Sequence, residues 1–83
     1  MDDEDIINKP SHYALYQIEP IEFIMQNNLS FHAGNIVKYA CRAGLKQYEG
    51  KTETQSETQD LLKIIRYAEF RINQIQGKTP NAI

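Results

Sequence analysis

Tryptophan is absent, cysteine occurs once and histidine twice in the 83 residues. The lone Cys41 excludes an intrachain disulfide, and one Cys with two His is too few for a zinc cluster. The start, Met1-Asp2-Asp3-Glu4-Asp5, carries no basic residue, whereas secretory and transit peptides begin basic. No apolar run reaches the ~20 residues of a membrane span. The expectation is a cytoplasmic chain with no membrane partner. Nine Lys and Arg against eleven Asp and Glu leave a net charge of −2, which argues against nucleic acid as a partner.

What is present points to an all-α fold: a small bundle of three helices, one short and two longer, with an extended N-terminal arm. The chain reads as one domain, 1–83, with an acidic arm over 1–9 and a tail over 78–83. Pro20 is a favoured first helical residue, so helix 1 starts there and ends at Asn27-Asn28. Ser30 caps helix 2, which runs to Leu45 with Gly44 as its stop. Ser56 to Gln59 has capping-box form and opens helix 3, which runs to Gln76 and stops at Gly77. The polar stretch 46–55 is a solvated loop.

Projected at about 100° per residue, helix 2 divides into two arcs. Ala33, Ile36, Val37, Ala40, Cys41 and Gly44 form the expected core face, which makes Cys41 a small buried hydrophobe. His32, Asn35, Lys38, Tyr39, Arg42 and Lys46 form the opposite arc. Lys38, Arg42 and Lys46 stand at i, i+4 and i+8, and like charges so spaced repel. Either an anionic ligand or acids on another element, Glu57, Asp60 or Glu69, relieves that cost. His32, Asn35 and Tyr39 supply donors for a phosphate or a ring to stack on a base. His32 also lies near the helix N-terminus, which favours anions. His12 is a further ligand donor, or else pins the arm.

On helix 3 the expected core stripe is Leu61, Ile64, Ile65, Ala68, Ile72 and Ile75. Tyr67 and Phe70 project elsewhere. Those aromatics mark either helix 1 wrapping around or a homo-oligomer contact, and the small size favours the contact, since a chain this small buries only about 60% of its unfolded surface. Two carboxylate pairs, Glu19 with Glu22 and Glu57 with Asp60, could hold Mg²⁺ if they face each other, as in all-α nucleotide pyrophosphatases. Acids at helix starts also favour the helix dipole without any metal.

The ordered set Pro10-Ser11-His12-Tyr13, Glu19-x-x-Glu22, Gly34-Asn35-x-x-Lys38-Tyr39-x-x-Arg42 and Asp60-Leu61-x-Lys63-x-x-x-Tyr67 resembles a phage domain family of unknown function called SaV-like. The resemblance covers about residues 8 to 72. Its members are small tailed-phage proteins or domains, some described as nucleotide kinases by similarity to a kinase of T7-type phages that lacks a P-loop. This chain also has no Gly-x-x-x-x-Gly-Lys-Ser/Thr motif, and it is much shorter than that kinase. The matching positions are Ser11, His12, Tyr13, Asn35, Lys38, Tyr39, Arg42, Asp60 and Lys63.

Two sources therefore meet on one face. The expected function is binding of a nucleotide or related phosphorylated small molecule at His12, Tyr13, His32, Asn35, Lys38, Tyr39, Arg42 and Lys46, with a kinase-like activity implied by the resemblance and Mg²⁺ entering with the nucleotide. No catalytic residue is singled out. The alternatives are a non-catalytic module that sequesters a nucleotide or docks on a host protein, and a Mg²⁺-dependent pyrophosphatase.

Overall fold

The computed structural model describes residues 16–80. The acidic arm, the extended segment with Ser11, His12 and Tyr13, and the last residues of the tail lie outside them. Among the described residues there are three helices and no strand: α1 Pro20–Gln26, α2 Phe31–Arg42 and α3 Glu53–Ile75.

Each boundary has a local cause. Pro20 opens α1, as its fixed φ favours. The chain then reverses at Asn28, whose φ of 50° is left-handed, a conformation Asn tolerates better than most residues. The Ser30 side chain caps α2 by accepting from the Ala33 N–H at 3.2 Å. Here α2 ends at Arg42 instead of continuing to Leu45. Ala43 turns extended and Gly44 takes φ +84°, which a side chain would resist.

The start of α3 also moves. Thr52-Glu53-Thr54-Gln55 has the same spacing as Ser56 to Gln59, and the earlier set forms the capping box. Thr52 Oγ1 accepts from the Gln55 N–H at 3.1 Å, and Gln55 Oε1 accepts from the Thr52 N–H at 2.9 Å. Ser56 lies inside the helix and spends its hydroxyl differently: it donates to the Thr52 carbonyl and accepts from the Tyr48 N–H.

Helix α2 packs against α3 and, on another side, against α1; the backbones of α1 and α3 do not approach each other closely. Gly34 lets α1 come close, since a Cβ there would stand 3.0 Å from Ile24 Cγ2. Both expected core faces are corrected. Among the described residues the only buried apolar side chain is that of Pro20, and the two fully buried side chains are Ser56 and Asp60. On α2, Ala40 is exposed and Cys41 only half-buried, while Arg42 keeps 11% of its side chain exposed. On α3, Leu61, Ile65, Ile72 and Ile75 are exposed, whereas Tyr67 stacks on Tyr39 of α2 and meets Phe31 edge-on. Tyr67 therefore makes a contact within the chain, and Phe70 packs edge-on against it. The reason is chemical. A buried carboxylate at Asp60 needs cations and donors, and Arg42 and Tyr39 occupy the arc of α2 that turns with them.

The capping geometry generates a test. Thr52→Ala should cost about 1 kcal/mol and Thr52→Gly only a few tenths, measured by urea denaturation. A Thr52→Ala protein as stable as the parent would show that the side-chain cap is not what starts α3.

Candidate functional site

Asp60 lies on the first half of α3 with no exposed surface. One carboxylate oxygen accepts a short hydrogen bond from the Tyr48 hydroxyl. That phenol oxygen in turn accepts from Arg42 Nη2 at 2.6 Å and from Lys63 Nζ at 2.9 Å. Arg42 Nε stands 3.8 Å from Asp60 Oδ2, and Lys63 Nζ stands 3.8 Å from Oδ1. A single phenol thus joins one buried acid to two cations. Such charge-assisted bonds are stronger than neutral ones.

Tyr48 comes from the loop between α2 and α3. Its backbone is fixed by the bond from its own N–H to Ser56 Oγ, 2.9 Å long. Gly44 and Gly50, both with left-handed φ, bracket the segment.

The cations are layered on two rings. Arg42, Lys46 and Lys63 lie 5.1, 5.3 and 4.7 Å from the Tyr48 centroid. Lys38, Arg42 and Lys63 lie 5.5, 5.4 and 4.8 Å from the Tyr39 centroid. Contacts under about 6 Å are attractive, because the ring face is electron-rich. Four cations therefore gather on two rings, and two of them, Arg42 and Lys63, also face the Asp60 carboxylate.

Their proton affinities record the crowding. Burial first, then repulsion from Arg42, Lys63 and Lys38, holds Lys46 below the ordinary 10.5 despite the pull of Asp60. Burial also disfavours the Lys63 ammonium, but its hydrogen bond to Tyr48 and attraction to Tyr48 and Tyr39 outweigh that and raise it.

Of the sequence-derived site residues, the fold brings Lys38, Tyr39, Arg42 and Lys46 together. Asn35 donates to the Phe31 carbonyl at 2.8 Å within its own helix. His32 lies edge-on to the Phe31 ring, 5.7 Å between centroids. Asn35 and Lys38 also line a shallow groove of about 250 Å³ between α1 and α2, with Ile21, Ile24 and Phe31. His12 and Tyr13 lie outside the described residues. The acids on helix 3 do relieve the cationic row, through Asp60. The two carboxylate pairs do not face each other, because Glu19 and Glu22 sit at α1, whose backbone does not approach that of α3 closely. Glu57 instead approaches Gly44, and Asp60 is enclosed by cations and a phenol. Among the described residues no group of three or more potential ligands forms a metal centre.

Sequence reasoning missed Tyr48 by assigning its segment to solvent. The available signal was a solitary aromatic two residues after Lys46, at the end of the basic row. Lys63 was visible only through the family-like motif.

A family profile described as a protein of unknown function, DUF3310, matches residues 7–69. The chain belongs to the DUF3310 family. That match contains α1, α2, the Tyr48 loop and the part of α3 that carries Asp60 and Lys63, so every group of the cluster lies in the DUF3310 region. No curated protein and no solved structure matches this DUF3310 chain.

Removing the shared phenol isolates the cluster's contribution. Tyr48→Phe leaves the ring in place but withdraws the donor to Asp60, and should cost about 1–3 kcal/mol. Asp60→Asn should cost at least as much. It stays short of the roughly 3–5 kcal/mol of a fully enclosed pair, because Lys63 keeps 32% of its side chain exposed. Chemical denaturation of both variants checks this; a Tyr48→Phe protein as stable as the parent would show that the hydroxyl network is incidental.

Proposed function

We propose that the Tyr39–Tyr48 cluster is an anion site for a phosphorylated small molecule, a nucleotide or a relative of one. The observation that carries this reading is the concentration of cations on two rings: Lys38, Arg42, Lys46 and Lys63 all lie within 5.5 Å of the Tyr39 or the Tyr48 centroid. Asp60 holds Arg42 and Lys63 in place. Lys38 and Lys46 flank that pair along one row, on a chain whose net charge is negative. A preorganised set of cations and donors suits phosphate oxygens. It also meets the main requirement of phosphoryl transfer, which is positioning and positive charge.

The resemblance to SaV-like phage proteins supports a phage origin, action in the host cytoplasm and a kinase-like activity without a P-loop. Mg²⁺ would enter with the nucleotide, because no group of three or more potential ligands converges among the described residues. No helix of the described residues is long and apolar enough to cross a membrane. The second reading is a module that docks on another protein, such as a host protein; the exposed apolar residues of α1 and α3 favour it.

Calorimetric titration with pyrophosphate and with a nucleoside triphosphate, each with and without Mg²⁺, tests the site. Lys46→Ala should weaken binding about tenfold, the cost of one charge-assisted contact, and leave the denaturation curve nearly unchanged. Arg42→Ala should lose both binding and stability. No heat with any of these anions, or an unaltered affinity in both variants, would remove the anion-site reading. A pH series adds a sign. The pKa of Lys46 is lowered, so it sheds its charge before an ordinary lysine does. As pH rises toward 10.5, affinity should therefore start to fall earlier in the parent than in Lys46→Ala.

A further inference from the structure

The long helix carries a second face that the cluster does not use. Leu61, Ile65, Ala68, Ile72 and Ile75 follow one another at steps of four, three, four and three residues. That is the heptad spacing with which one helix seats its side chains between those of another. The four large members are between 46% and 66% exposed. Helix α2 does not cover them, because α3 turns Asp60, Lys63 and Tyr67 toward it.

We infer that the heptad stripe of α3 is the seam along which two copies of this chain pair. Two observations select a second copy as the occupant. The first is the missing core, since Pro20 is the one apolar side chain among the described residues that is buried within one chain. The second is self-complementarity. A two-fold axis near the middle of α3 sets the same stripe against itself, antiparallel, so that Leu61 of one copy meets Ile72 of the other. That arrangement also brings Glu57 of one copy to the side of Arg71 of its mate, while a parallel pair gives neither an opposite charge at the flanking positions. The cluster around Asp60 lies on another face of α3 and stays open in the pair.

Light scattering of the full chain from 1 to 100 µM should return twice the single-chain mass, with a melting temperature that rises with concentration. Ile65→Asp and Ile72→Asp should each return the single-chain mass. Met25→Asp, at an exposed residue of α1, should remain a dimer. If an aspartate variant unfolds, Leu61→Cys with Ile72→Cys in a Cys41→Ala background decides: mild oxidation should give a covalent dimer in high yield. A parent of single-chain mass whose melting temperature ignores concentration overturns the inference and leaves the stripe to a different protein. A dimer that survives Ile65→Asp, one lost in Met25→Asp, or a cysteine pair that does not cross-link also overturns it. Anion titration is a separate readout, so failure here leaves the cluster's assignment unaffected.

Discussion

Burial of the Asp60 carboxylate is the constraint on which the arrangement of α2, α3 and their connection depends. An ionised acid taken out of water is very costly unless it is paired and hydrogen-bonded. Here the pairing comes from both long helices and the bonding from the loop. Satisfying one side chain therefore fixes the rotation of α2, the face of α3 that meets it, and the path of residues 44–52. The apolar residues of both helices then go where space remains, which is why the described part of the chain buries none of them fully.

The same constraint explains how a chain of net charge −2 presents a cationic surface. Asp60 draws Arg42 and Lys63 together, and the helical row of Lys38, Arg42 and Lys46 adds charge beside them. Tyr39 and Tyr48 allow the crowding, because each ring offers its electron-rich faces to three of the cations. Tyrosine here acts less as a platform awaiting a base than as insulation between like charges.

Much of the fold was legible in the sequence. Pro20, Ser30, Gly44 and Gly77 act locally, and the helices they bound lie close to the expected places, with shifts of about three residues at the end of α2 and the start of α3. The two faces were not legible, because periodicity separates polar from apolar arcs without saying which arc meets the neighbouring helix. Periodicity favoured an apolar interior, and a buried acid with its cations reversed that preference. Arg42 with Asp60 was foreseen as one of two outcomes. Tyr48 was not, because the phenol acts across residues that carry no period at all. The carboxylate pairs misled for a related reason: spacing along the chain gave them a common form, and only topology could show that α1 does not approach α3 closely.

The connection between α2 and α3 has a kinetic meaning. Its bonds span short stretches of chain: six residues from Arg42 to Tyr48, eight from Tyr48 to Ser56, twelve to Asp60 and fifteen to Lys63. Closing loops of that length costs little entropy, and contacts local in sequence form early. The helical hairpin can thus assemble around Tyr48 before α1 docks on Gly34. The residues that gather positive charge are then the same ones that open the route to the folded state, so weakening them slows folding as well as loosening its product.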